Sequence, residues 1–285
     1  MTKSILVLGA TGRFGRNVAA TFEAAGWHVK RFDRKRGTLL QAAMGVDVIA
    51  NGWNPPYPDW PEQVPHLTKQ VIEAAASTGA TVLMAGNVYV FGPDNPDTVW
   101  SAGSPHRATN TLGRIRIEME EQYRLSGVPT ILLRAGDFID TERSGNWFDR
   151  ILIKSLEKGQ MTYPGNPDIP HAWAYLPDVA RAALALVEMR SDLPTFIDVP
   201  FPGYTLSGRE LAAGLGRVTA KDITLRPMAW WPLWLATPFW TLAKSLREMR
   251  YLWNTPHQMD DADFKTLLPD FQSTPVDTAL ASAIR

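Results

Sequence analysis

The amino-acid sequence predicts an α/β fold: a doubly wound parallel sheet with a smaller, interleaved C-terminal lobe. Three observations predict it. Short apolar runs of β type alternate with helical patterns about five times in the first half of the chain. A glycine-rich turn joins the first such run to the first helical pattern. Beyond Arg134 the alternation loosens into short strands, a helix and a tryptophan-rich stretch.

Residues 4–8 (SILVL) form the first apolar run, and the helical pattern 13–25 behind it stops at Gly26. HVKRFDR (28–34) reads as a second strand and VDVIANG (46–52) as a third. The connection 54–65 carries five prolines and reads as a loop over the open edge of the site. A helix over 67–78 precedes the strand 81–86, and a helix over 113–126 ends at Gly127 before the strand run 129–138. In 139–170 the pattern gives a helix at 147–158 and the turn YPGNPDIP. A helix over 174–189 has its start set by Pro177 and Asp178. From Pro194 onward come short strands and a helix at 207–216. The expected division is a sheet domain over 1–193, with 139–173 partly in the lobe, and a substrate lobe over 194–285.

Composition narrows the function. With 45% hydrophobic and 20% charged residues, the 285-residue chain is an ordinary folded protein. Lys plus Arg equals Asp plus Glu at 29 each, so no basic excess points to nucleic acid. The absence of cysteine excludes disulfides, thiolate nucleophiles and zinc–thiolate sites. Five scattered histidines make no HExxH pattern, so no metal site is expected. The N-terminus lacks a small-residue cleavage region, and the expected location is the cytoplasm. Of eleven tryptophans, five fall between Trp230 and Trp253. Pro232 and Pro238 interrupt that segment and it is too short to span a membrane. A pocket wall or a homodimer contact is expected there, ahead of docking at a lipid interface.

LVLGATGRFGRNV sets Gly9, Gly12 and Gly15 at G-x-x-G-x-x-G spacing, with Thr11, Arg13 and Phe14 in the loop. Such a turn between strand and helix lets backbone approach a pyrophosphate at the helix N-terminus. The implied cofactor is a dinucleotide. Asp33, ending the second strand, is placed to accept ribose hydroxyls and favours NAD. Arg34 and Arg13 would instead neutralise the extra phosphate of NADP. Asn51 and Gly52 follow the third strand at the same sheet edge.

GATGRFG, Ala50-Asn51-Gly52, VIEAAASTGATVLMAGNVYVFG, LRAGDF and AYLPDVARA together resemble the extended short-chain dehydrogenase/reductase group, the NAD-dependent epimerase/dehydratases. The resemblance covers roughly residues 3–200 in sequence order and implies a Rossmann-type NAD(P)-binding domain. Members carry a Ser or Thr after the fourth strand and a Tyr-x-x-x-Lys on the next helix, the Tyr carrying the proton for hydride transfer. Laid on that pattern without gaps, Asn87 takes the Ser/Thr position. Counting back from Glu118 puts Arg114 at the Lys and Asn110 at the Tyr. All three are replaced, so cofactor binding is kept and the usual acid is lost. Arg114 can still hold a nicotinamide ribose or a substrate oxyanion.

Three side chains could restore an acid. Tyr89 lies two residues beyond Asn87, with Arg114 as its expected cation; its alternative is a packed strand-end ring. Asp137 follows the fifth strand at the carboxyl edge, where it could equally cap a turn. His171 alternates with Trp173 and Tyr175 on one strand face and could shuttle protons, though a lone His is more often structural. The resulting reading is an NAD(P)-dependent oxidoreductase or epimerase-like enzyme for a small, partly apolar carbonyl or hydroxyl substrate. A dinucleotide-binding redox sensor without catalysis is the alternative.

Overall fold

The computed structural model describes residues 3–284. The first half runs β1 (Ser4–Leu8), α1 (Arg13–Ala24), β2 (His28–Arg31), α2 (Leu39–Ala43), β3 (Val48–Asn51), α3 (Trp60–Thr78), β4 (Thr81–Gly86), β5 (Val99–Trp100), α4 (Thr111–Leu125) and β6 (Thr130–Arg134). The second half continues with β7 (Asp137–Ile139), β8 (Gln160–Tyr163), β9 (Ala172–Tyr175), α5 (Leu176–Glu188), β10 (Phe196–Pro200), β11 (Tyr204–Thr205) and α6 (Gly208–Thr219). It closes with β12 (Thr224–Pro227), α7 (Trp231–Ala236), α8 (Thr241–Glu248), β13 (Gln258–Met259), α9 (Ala262–Leu267) and α10 (Val276–Ala283).

Six strands make one parallel sheet in the order β10-β6-β4-β3-β1-β2. Their apolar residues alternate between two cores, as a pleat requires. Leu6, Leu8, Ile49, Val82, Met84 and Leu132 face the α2, α3 and α4 side. Ile5, Val7, Val48, Leu83, Ile131 and Leu133 face α1 and α5. Both faces are covered, which is why these strands read as unbroken apolar runs. β1 lies between β2 and β3, so the chain reverses direction there and opens a crevice at the strands' carboxyl ends.

The lobe has its own core, drawn from 139–175 and 211–284 and including Met161, Trp173, Leu215 and Trp253. It is built on the short sheets β11-β9-β7 and β12-β8. Between these contributions the chain returns to the main sheet as β10, beyond the expected boundary at 193.

Two segments depart from expectation. The proline-rich connection is partly helical: α3 begins at Trp60 with Pro61 in its first turn, and Pro65 lies inside it. Proline is accommodated in a first turn because those N–H groups have no helical acceptor, and Trp60 anchors the start by donating its indole N–H to the Pro55 carbonyl at 2.8 Å. The helix expected at 147–158 is a single π-type turn, Phe148–Leu152, and a separate tight turn at Leu156–Lys158. Phe148, Leu152 and Leu156 are all buried there, so lobe packing overrides the helical spacing.

Candidate functional site

The turn after β1 is shaped by glycine contacts. Gly9 has φ +65°, and a Cβ on it would stand 2.7 Å from the Gly52 carbonyl oxygen. A Cβ on Gly15 would run into Gly9 itself, so α1 packs onto the loop backbone. Gly12 is different: its Cβ would reach only to 3.2 Å of Gly9 O, and its free side lines a cavity. It is the N-cap of α1 and has no side chain to bond the first turn, whose N–H groups are left for a ligand.

That cavity, about 250 Å³, lies at the carboxyl ends of β1, β3, β4 and β6. Gly12, Arg13, Phe14, Asn51, Gly52, Asn87, Tyr89 and Asp137 all line it. Asn51 donates to the Tyr123 hydroxyl (3.1 Å) and accepts from the Trp53 N–H (3.2 Å), which fixes the loop after β3. Asn87 accepts from the Tyr89 N–H at 3.0 Å through its side-chain oxygen, capping the turn that carries the tyrosine. Thr11 is exposed beside the loop and Gly9 and Gly15 pack behind it.

Asp137 and His171 come together. Asp137 opens β7, His171 precedes β9, and the strands pair in parallel. Their approach is permitted by Gly136, where a Cβ would strike the Ala172 carbonyl. His171 Nε2 lies 2.8 Å from Asp137 Oδ2. A neutral imidazole that donates to this carboxylate carries its proton on Nε2 and leaves Nδ1 as an acceptor. That buried Nδ1 has no partner among the described residues. The imidazole is clamped by Trp253, stacked at 4.6 Å, and by His257 at 4.4 Å. Burial and the neighbouring His171 hold His257 well below the ordinary histidine range.

Across the cavity, the Tyr89 and Tyr57 hydroxyls are 2.6 Å apart. Burial raises both phenols above their ordinary value, so both stay protonated at neutral pH. Tyr57 comes from the proline-rich connection, and no spacing in the sequence marked it.

Arg116, not Arg114, faces this cavity. Arg114 is exposed on the outer side of α4 beside Ala108, Thr109 and Glu118. Arg116 is buried, lies 4.1 Å over the Trp60 ring and donates to Asn54 Oδ1 at 2.8 Å. No carboxylate pairs with it among the described residues, and its Nε has no acceptor. Arg114 is therefore not brought to the site, and Arg116, two residues on, stands there instead. The glutamate held inside the fold is Glu120, bonded to Arg134 at 2.7 Å, while Glu118 is exposed. Leu112, one turn before Arg116, is apolar and buried. Asn110 is outside the cavity too. Its Nδ2 donates to Glu248 Oε1 at 3.1 Å, and the same oxygen accepts from the Leu112 N–H at 2.7 Å. α4 thus takes its N-terminal acceptor from the end of α8.

At the end of β2 the charged residues are divided. Asp33 caps the turn after β2, accepting from the Lys35 N–H at 2.9 Å, with Arg36 Nε 3.4 Å from its second oxygen. Arg34 stands on the other side, 4.7 Å over the Trp53 ring, and Trp53 itself lines the cavity. Arg13 does not join Arg34; it reaches across to donate to the Ser144 carbonyl at 3.2 Å.

The tryptophan-rich stretch is not a cavity wall. Trp230 and Trp253 pack behind Trp147, which lines the cavity, whereas Trp231, Trp234 and Trp240 are exposed.

No protein-family model matches the sequence, and no curated protein matches it. Solved structures do. MoeE5 in complex with UDP-glucose and NAD superposes with a TM-score of 0.77 at 16% identity, over 99% of this chain and 97% of that one. UDP-N-acetylglucosamine 4-epimerase from Bacillus cereus gives 0.73 at 16%, over 99% and 98%. UDP-glucose 4-epimerase from Brucella ovis in complex with NAD gives 0.73 at 15%, over 99% and 97%. The chain shares the fold of these proteins. At such identities the likeness is one of fold, and the residues of the cavity must argue for themselves.

Proposed function

We propose that the chain is an NAD(P)-dependent oxidoreductase or epimerase/dehydratase-like enzyme for a small, partly apolar substrate with a carbonyl or hydroxyl group. The observation that carries this reading is Asp137, backed by the buried His171, lining the same cavity as the uncapped first turn of α1. NAD is the cofactor we favour, as in MoeE5 and the Brucella ovis epimerase.

The residues fit a dinucleotide. Gly12 and the free N–H groups behind it take the pyrophosphate. Asp33 or Arg34 meets the adenosine ribose, and which of them does so sets the choice between NAD and NADP. Bound nicotinamide supplies the hydride chemistry. Arg116 offers an unpaired charge and a free Nε to a ribose hydroxyl or a substrate oxyanion. Asp137 takes or returns the proton, held in one orientation by His171. The protonated Tyr57–Tyr89 pair donates to a substrate oxygen. Leu112 can carry no proton, so the proton path runs through Asp137 rather than along α4.

Calorimetry with NADH and NADPH, followed by oxidation assays against aldehydes, ketones and quinones, tests this. Binding of one cofactor and turnover lost on Asp137→Asn is the expected result. Absence of binding overturns it. Tight binding without turnover for any substrate favours the redox-sensor reading.

A further inference from the structure

The apolar stripe of α7 points away from the protein. Trp231, Trp234 and Leu235 stand at i, i+3 and i+4, and they are 66%, 61% and 68% exposed. Past the break at Pro238, Phe239 is 92% exposed and Trp240 47%. A surface helix of a soluble protein turns such a stripe inward. Here the inward contacts come from other residues: Trp230, whose indole N–H donates to the Pro164 carbonyl, and Ala243 and Ser245 of α8. The exposed rings are therefore held out by an anchored base.

Cations flank them in the sequence. From Ile223 to Pro256 the sequence has Arg226, Lys244, Arg247 and Arg250 against one acid, Glu248, although the whole chain is neutral. Arg247 lies 3.5 Å over the Trp234 ring, and Lys244 and Arg250 are exposed. Glu248 is already committed to the N-terminus of α4. No helix among the described residues is long and apolar enough to cross a membrane.

We propose that the α7–α8 hairpin docks the protein on an anionic lipid surface. Indole and phenyl rings lodge at headgroup depth, and the flanking cations meet the lipid phosphates. A second copy fits less well: a two-fold contact would set the same cations against one another with no free acid to answer them. This site is separate from the cavity and does not rest on the proposed chemistry.

Flotation of the full-length protein with phosphatidylcholine vesicles, with and without an equal share of phosphatidylglycerol, tests the proposal. Co-flotation is expected with the anionic vesicles and is weakened by salt. Phe239→Asp and Trp234→Ser should each reduce it by roughly tenfold or more. Lys244→Glu combined with Arg250→Glu should weaken it and remove most of its salt dependence. Wild-type tryptophan emission should be quenched by brominated lipid, a readout that needs no variant. Absence of flotation and quenching at low salt overturns the proposal. So does flotation unchanged in every variant, or a dimer by light scattering that Phe239→Asp splits while lipid is ignored.

Discussion

Arg114 and Arg116 each have a glutamate four residues on, Glu118 and Glu120, so both satisfy the same spacing in the sequence. What separates them is Arg134, a residue from another element, which draws Glu120 inside and turns Arg116 to the cavity. No local pattern encodes that, whereas Asn87, Tyr89 and Asp137 were legible because strand ends in such a sheet converge on one edge. Arg116→Met should weaken dinucleotide or substrate binding by about 1.5–3 kcal/mol, the usual worth of a charge-assisted hydrogen bond. It should also raise the melting temperature, because a buried cation without a carboxylate costs solvation. Calorimetry and thermal unfolding check both, and Arg114→Ala should change neither. His106 gives a second test. Burial and the nearby Arg134 lower it to about 4. The folded state therefore binds fewer protons than the unfolded chain between about 4 and the ordinary value near 6.5. This contribution is full above that window and is lost as pH falls through it, on the order of 3 kcal/mol for a group shifted this far. His106→Gln should flatten urea-derived stability between those limits.

At the scale of elements, glycines of one loop should behave differently. Gly12→Ala leaves the fold intact, since its Cβ needs only a few tenths of an ångström from Gly9 O at 3.2 Å. It places a methyl group in the cavity, and dinucleotide affinity should fall by more than tenfold, about 1.4 kcal/mol. Gly15→Ala forces Gly9 away and should lower the melting temperature as well. The spacing of these glycines and the apolar runs of the sheet were readable because backbone geometry leaves few alternatives. The helix start at Trp60 was masked by prolines, and the helix expected at 147–158 gave way to burial in the lobe. The exposed rings of α7 show the same limit in reverse: composition announces tryptophan but not which side of the helix the fold will cover.

For the molecule as a whole, Arg134 ties the halves together. It is fully buried and bonds Glu120 on α4 and Asp198 on β10, joining the helix to the last strand of the sheet. Glu120→Gln leaves Arg134 paired with Asp198 and should cost about 1.5–3 kcal/mol, the usual worth of a charge-assisted hydrogen bond, and denaturant unfolding will show it as a shifted midpoint. At the other end of the sheet the chain turns back after β2 through the short helix α2, and no strand is paired outside β2 among the described residues. Its outer row of amide and carbonyl groups therefore faces water, a ready template for the same strand of another molecule. Lys30 and Arg31 stand on this strand; Arg31 is paired with Glu23 at 2.7 Å, and stacking two copies edge to edge would bring the Lys30 charges together. This charge is expected to disfavour fibrillar assembly. Lys30→Val with Arg31→Thr should leave the fold in place yet produce growing light scattering and a thioflavin signal on standing, where the parent chain stays clear.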